Sequence, residues 1–116
     1  MDTNKAVLAL AALAHEHRLA VYRLLVQAGE AGLPAGGVAA QLGLPGSSLS
    51  FHLAHLTRAG LIRQRRRSRS LIYTAYYDAM NALIGFLTDN CCNGAPCDSD
   101  ASCTPEYLPA VSKSAA

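Results

Sequence analysis

All four cysteines of this 116-residue chain fall within thirteen positions: Cys91, Cys92, Cys97 and Cys103. Clustered thiolates are ligands for soft ions. Three sulfurs satisfy trivalent arsenic or antimony, whose lone pair favours a three-coordinate pyramid, and four would suit tetrahedral zinc. Structural zinc sites usually space their ligands as Cys-x2-4-Cys, a pattern the adjacent Cys91 and Cys92 do not follow. The run CCNGAPC makes a compact loop, which marks Cys91, Cys92 and Cys97 as the triad and leaves Cys103 as the alternative third ligand. Neighbouring side chains on an intact helix diverge by about 100°. Both thiols therefore reach one ion only where the helix ends, and Asn93 and Gly94 supply that ending. Zinc, cadmium, an organoarsenical or oxidation of the thiols are the alternative stimuli. A thiol-dependent enzyme with Cys91 or Cys92 as nucleophile is the reading from another class. Against it, no Arg follows any cysteine at a phosphate-loop distance and no glycine-rich phosphate cradle is present, so the chain is read as a non-enzyme.

The second chemical feature is charge. Positions 31 to 77 hold no Asp or Glu but six arginines, five of them at Arg63, Arg65, Arg66, Arg67 and Arg69. The net charge of +2 conceals this, because all eight acids lie outside the block. A stretch with nothing to neutralise its arginines sets up a positive field suited to a polyanion, and DNA phosphates are the expected partner.

The elements that must position these groups follow from periodicity and stop signals. Apolar residues 4 to 14 predict a helix buried between other elements or at a subunit interface. Leu19, Tyr22, Leu25 and Val26 predict a second helix over Glu16 to Ala28, stopped at Gly29. Gly32 to Pro34 reads as a turn, Gly36 to Leu42 as a short helix ended by Gly43. Leu49, Leu53 and Leu56, at i, i+4 and i+7, predict an amphipathic helix that runs to Ala59 and stops at Gly60. Its opposite face reads as Ser47, Ser48, Ser50, Phe51, His52 and His55. Leu61 to Gln64 and Leu71 to Thr74 read as strands around an arginine turn with Ser68 and Ser70, and Tyr76 to Leu87 resumes helical spacing.

Helix, glycine turn, helix and hairpin is the geometry that places a recognition helix in the major groove with a wing along the backbone. Ser47, Ser48, Ser50 and His52 suit phosphates or base edges, and Phe51 a thymine methyl. Arg65, Arg66, Arg67 and Arg69 would supply phosphate contacts. The histidines His15, His17, His52 and His55 are weaker as a metal site than as plain surface or DNA contacts.

VAAQLGLPGSSLSFHLAHLTRAGLI followed by RQRRRSRSLIYTA resembles the helix-turn-helix and wing of the ArsR/SmtB repressors, including the Ser-x-His-Leu-x-x-Leu-x-x-Ala-Gly-Leu run from Ser50 to Leu61. The resemblance covers about residues 6 to 90. It departs where Pro45 and Gly46 replace capping residues and where the short helix lacks a Cys-containing metal box. It implies a mainly α winged helix-turn-helix dimer with a small β-hairpin, binding double-stranded operator DNA. The cysteine placement resembles the arsenite-responsive branch, which implies As(III) or Sb(III) as inducer and no organic cofactor.

Composition agrees with a regulator of this size. A chain 51% hydrophobic and 16% charged, with two Phe and no Trp, folds around a thin core that a second subunit would help to bury. Residues 1 to 90 read as the DNA-binding and dimerisation domain and 91 to 116 as a flexible cysteine-containing tail. No segment approaches a membrane span of about 20 apolar residues, and a cytoplasmic location with reduced thiols is expected.

Overall fold

The structure is a computed structural model that describes residues 1–94. Cys97 and Cys103 lie outside the described residues. The chain forms two compact units, Met1–Phe86 and one that begins at Leu87.

Helix α1 spans Thr3–Leu13 and begins where the Asp2 carboxylate accepts the Lys5 backbone N–H at 2.8 Å. Its small residues Ala6, Ala9 and Ala12 recur every third position and are buried, whereas Val7, Leu8 and Leu10 stand exposed. The all-round apolar pattern thus resolves into an alanine face against the core and a larger-residue face toward solvent. Helix α2, Glu16–Ala28, is capped by His15, whose Nδ1 accepts the His17 backbone N–H at 3.1 Å. At this elbow the buried Arg18 donates from Nε to the Ala12 carbonyl at 2.7 Å, satisfying an acceptor at the C-terminal end of α1.

Helix α3, Ala35–Leu42, ends on Gly43 in the left-handed conformation, whose N–H returns to the Ala39 carbonyl. Helix α4, Gly46–Arg58, starts after Pro45, and neither Ser47 nor any other side chain caps it. Its C-terminus closes through the left-handed Gly60, with Leu61 N–H bonded to the Leu56 carbonyl at 3.1 Å. This six-to-one return also buries Leu56 against Leu61.

Three antiparallel strands follow the order β1-β3-β2, with β1 at Leu33–Pro34, β2 at Ile62–Arg67 and β3 at Ser70–Ala75. Two sequence expectations change here. The turn at Gly32 to Pro34 is a two-residue strand, in which Leu33 pairs with Tyr73 and Pro34 with Ile72. The arginine run is strand rather than turn as far as Arg67, because each residue from Ile62 to Arg67 has a β3 partner. Only Ser68 and Arg69 remain in the turn, with Ser68 at φ 58° and Ser70 already paired.

Helix α5, Tyr77–Leu87, is tied to α2 by the Tyr77 hydroxyl, which donates to the Val26 carbonyl at 2.8 Å. The core joins Val21, Tyr22 and Leu25 of α2 to Val38, to Leu49, Leu53 and Leu56 of α4, and to Leu61, Ile62, Ala75 and Leu83. Within the second unit, Cys91–Gly94 form a turn in which Cys92 and Asn93 have left-handed φ values of 58° and 62°. Among the described residues, no helix is long and apolar enough to cross a membrane.

Gly32 lets the chain ahead of β1 approach β3 closely. Its φ is +66°, and an added Cβ would strike the Tyr73 carbonyl oxygen and the methyls of Thr74 and Ile72. Gly43 has a similar φ of +67° but open space around it. Gly32→Ala should therefore lose more than about 2 kcal/mol of unfolding free energy, and Gly43→Ala only about 1 kcal/mol. Urea unfolding of the two variants checks this; equal losses would show that backbone conformation alone, without the close approach, sets the cost.

Candidate nucleic-acid interface

Burial of the leucine stripe decides which side of α4 is displayed. Leu49, Leu53 and Leu56 are at most 2% exposed, so the helix turns Ser47, Ser48, Ser50, Phe51 and Ala54 outward. Phe51 is 61% exposed, a large apolar ring with no place in the core. Pro45 and Gly46 leave the first backbone N–H groups of α4 without a side-chain cap, and uncapped N–H groups at a helix start are suited to phosphate oxygens.

His52 departs from its expected place. It lies three residues after Leu49, on the inner side of the helix, and is only 7% exposed. Its ring stacks among His15 and His17, with centroids 4.9 and 5.7 Å away. It is therefore removed from the displayed face, and His55 is half-buried beside it. The cause is helical geometry: a residue at i+3 from one buried leucine and i−4 from another shares their side.

Strand alternation sorts the wing arginines in the same way. Gln64 and Arg66 share a face with Ile62 and pair with Tyr73 and Leu71, whereas Arg63, Arg65 and Arg67 share the other face, opposite Thr74, Ile72 and Ser70. The first face adjoins α4, since Ser50, Ala54, Arg58, Gln64 and Tyr73 line one cleft. The second packs toward the turn after α2. There Arg65 Nη2 donates to the carbonyls of Glu30 at 3.2 Å and Ala31 at 3.5 Å. The Arg63 guanidinium sits 3.6 Å from the centroid of the Tyr76 ring. Arg66, Arg67 and Arg69 are exposed toward the hairpin tip.

The displayed surface is thus a concave strip from the N-terminus of α4, along Ser50 and Ala54, to Gln64 and the wing tip, with arginine and no carboxylate upon it. Arg58 and Gln64 belong to this strip although the sequence reading passed over them. Period 2 from buried Ile62 would have found Gln64, and the i, i+4, i+8 series Ser50, Ala54, Arg58 would have found the arginine.

Cys91 and Cys92 are exposed, with their sulfurs 3.6 Å apart. The hydrogen bond to Cys92 first, then the Cys92 charge and slight burial, hold the Cys91 thiol above its ordinary range. Among the described residues, no three His, Cys, Asp or Glu side chains are arranged to hold a metal ion.

Residues 13–65 match the helix-turn-helix domain family. The chain is 36% identical over 86 residues to the transcriptional activator HlyU of Vibrio cholerae, covering 74% of this chain and 77% of that one. It is 33% identical over 91 residues to the transcriptional regulator YgaV of Escherichia coli, covering 78% and 90%. Among solved structures, it is similar to the homodimeric winged helix-turn-helix domain of Mb0332 from Mycobacterium bovis, a possible ArsR-family regulator. The TM-score is 0.61 with 26% identity, over 75% of this chain and 81% of that one. A possible transcriptional regulator for arsenical resistance superposes with a TM-score of 0.60 and 25% identity, over 90% and 94%. The leucine-seated helix, the wing that shares its outer face and the likeness to these proteins lead to one conclusion: the chain belongs to the ArsR family of winged helix-turn-helix transcriptional regulators, whose members here are DNA-binding proteins and not enzymes.

Proposed function

We propose that this regulator is a metalloid-responsive repressor that holds operator DNA as a homodimer and releases it when the cysteines after α5 bind As(III) or Sb(III). The observation that carries the sensing half is the Cys91 and Cys92 pair, 3.6 Å apart on the Cys91–Gly94 turn, where Cys92 has a left-handed φ of 58°. Two sulfurs sharing one ion at about the 2.3 Å of a zinc–sulfur bond, with angles of about 90–110°, stand about 3.3–3.8 Å apart. The pair is spaced for joint ligation. A third thiol would come from Cys97, or alternatively Cys103, so that three sulfurs replace the three hydroxyls of arsenous acid with release of water. Soft sulfur donors favour such an ion over oxygen. Likeness to a possible regulator for arsenical resistance adds support.

Release of DNA follows from linkage. A ligand that favours a chain arrangement unfit for DNA, by a coupling of about 1–3 kcal/mol, weakens operator affinity about 5- to 150-fold, and DNA weakens the ligand equally. Oxidation of the same pair to a disulfide is the second reading, favoured by the same 3.6 Å approach. Fluorescence anisotropy of the reduced protein on its own upstream DNA separates the readings when arsenite, antimonite, zinc, cadmium and peroxide are added in turn. Release by peroxide alone would replace metalloid sensing with thiol oxidation.

Dimerisation is supported by α1, where Val7, Leu8 and Leu10 are 57%, 61% and 42% exposed opposite the alanine face, and by the homodimeric Mb0332 domain. A contiguous apolar patch of this kind marks an interaction surface. Leu83, by contrast, is 7% exposed in the chain's own core, so the interface is probed elsewhere. Leu8→Glu should shift the protein to monomer in micromolar sedimentation and abolish tight operator binding while leaving the helical circular dichroism intact. A dimer that survives would move the interface off α1.

Arg66, Arg67 and Arg69 provide phosphate affinity, and Ser47, Ser48, Ser50 and Phe51 the discrimination between sequences; Arg65, although exposed, positions the wing through Glu30 and Ala31. Arg66→Ala should weaken all duplexes alike and reduce the slope of log affinity against log salt by about one. Arg65→Ala should change that slope by less than half as much. The opposite ranking would place Arg65 on the DNA.

Cys91→Ser and Cys92→Ser should each leave operator affinity within about twofold and raise the arsenite concentration that halves binding by more than about tenfold, since a hydroxyl is a poor donor to a soft ion. Cys97→Ser should do the same and Cys103→Ser less. If both adjacent-cysteine variants respond like the parent, the tail is not the sensor.

A further inference from the structure

Three imidazoles meet behind α4. His15, at the cap of α2, and His17, in its first turn, lie 5.4 Å apart by ring centroid, and both approach His52 of α4, at 4.9 and 5.7 Å. His52 is 7% exposed, and its Nδ1 is buried without a hydrogen-bond partner. The His15 Nδ1 is in use as an acceptor for the His17 backbone N–H. That nitrogen is thereby committed to the backbone of α2, and the rings of His15 and His17 are themselves exposed. A proton on the cluster at His52 would be a buried charge with no acceptor facing its Nδ1.

The surroundings supply no compensation. Helices α1, α2 and α3 and strand β2 pack against α4. From α2 come His17 and the buried Arg18, whose Nε is spent on the Ala12 carbonyl. From the elbow comes His15, and α3, AGGVAAQL, brings no ionisable group. The ionisable residues of α1 proper are Lys5 alone, with Asp2 capping the far end, and β2 brings exposed arginines. Burial first, then the charges of His15, Arg18, His17 and the neighbouring His55, all act in one direction on His52 and hold it below the ordinary histidine range. Glu16, exposed in the first turn of α2, is not among the charges that act on it. Among the described residues, no three of these side chains are arranged to hold a metal ion.

We infer that the buried His52, packed against His15 and His17, is a proton-sensitive joint between the α1–α2 elbow and the helix that reads DNA, and that charging it in mild acid loosens α4 and weakens operator binding. The inference rests on α4 being the DNA-reading helix. Because burial holds His52 in the folded chain below the ordinary histidine range, its contribution to stability is complete above about pH 6.5 and is lost progressively below it. The sign for DNA is diagnostic. Adding positive charge to a DNA-binding protein ordinarily tightens binding, whereas this joint makes acid weaken it.

The experiment measures, at fixed ionic strength and in EDTA, the thermal unfolding midpoint and the anisotropy of a labelled duplex from upstream of the protein's own gene. Both are read from pH 7.5 to 5.5 for the full-length parent, for His52→Gln, which keeps a polar side chain without a titrating ring, and for His17→Gln, which removes one neighbouring charge and leaves the cap of α2 untouched. The parent should lose about tenfold in affinity across this range, with a falling midpoint, and His52→Gln less than about threefold. His17→Gln should fall between them. A parent whose affinity rises in acid, or a folded His52→Gln with the parent's profile in both readouts, would overturn the joint. Intact binding at pH 7.5 with a flat unfolding profile overturns the joint and leaves the regulator standing. Absence of specific binding at pH 7.5, with the unfolding profile as expected, overturns instead the DNA-reading role of α4.

Discussion

The seating of Leu49, Leu53 and Leu56 in the cleft between α1, α2 and α3 is the constraint from which the rest of the molecule follows. Burying three leucines contributes about 5–9 kcal/mol relative to leaving them in water, comparable to the whole net stability of a domain this size. Rotating α4 by one residue would turn the stripe about 100° out of its cleft. No contact with DNA could compensate for that, so the outward set of Ser47, Ser48, Ser50, Phe51 and Ala54 is dictated from behind. The same stripe delivers the chain to Gly60, whose left-handed turn sends it into β2 in fixed register.

From there strand pairing does for the wing what the stripe does for the helix. Buried Ile62 sets the phase, Gln64 and Arg66 follow it onto the face shared with α4, and Arg63 and Arg65 fall on the other. An arginine run that looks uniform in sequence therefore separates into groups with different work. Arg65 fastens the hairpin to the turn after α2, and Arg63 lies on Tyr76. Arg66, Arg67 and Arg69 keep their guanidiniums exposed. A wing held at its base by two arginines presents the others at a defined height above the helix, and positive charge at a defined place is what distinguishes a docking surface from a merely basic one.

Most of the fold was legible because each element carried its own signal: leucine spacing for α4, Gly43 and Gly60 for the stops, and an acid-free arginine block for the hairpin. What was not legible depended on partners distant in sequence. β1 is two residues long and exists only because Gly32 lets the chain approach the Tyr73 carbonyl closely. The arginines extend as strand because β3 pairs with them, not because arginine favours strands. His52 was misplaced for a different reason. A polar residue on a helix of alternating character was assigned to the polar face, whereas its position between Leu49 and Leu56 puts it among leucines, and the residues that receive it, His15 and His17, lie some 35 positions earlier. The helix ends at Leu87, earlier than Asn93 and Gly94 predicted, so the Cys91 and Cys92 sulfurs approach on a separate turn, Cys91–Gly94, rather than at a frayed helix end.

The composition of the core explains why small local events can matter to DNA affinity here. Four of its buried positions are alanines, Ala6, Ala9, Ala12 and Ala75, which pack closely but contribute little apolar area, so the free energy that holds α4 in place is concentrated in a few leucines and in α2. A ligand that binds only the folded arrangement adds RT ln(1 + [L]/Kd), about 2.7 kcal/mol at a hundredfold excess over Kd. In a domain of modest stability that is a large fraction of the total. DNA that binds only the folded reading head would stabilise it by this linkage, and a loss of packing behind α4, where buried His52 stands among leucines in place of an apolar side chain, would weaken the hold on DNA in turn.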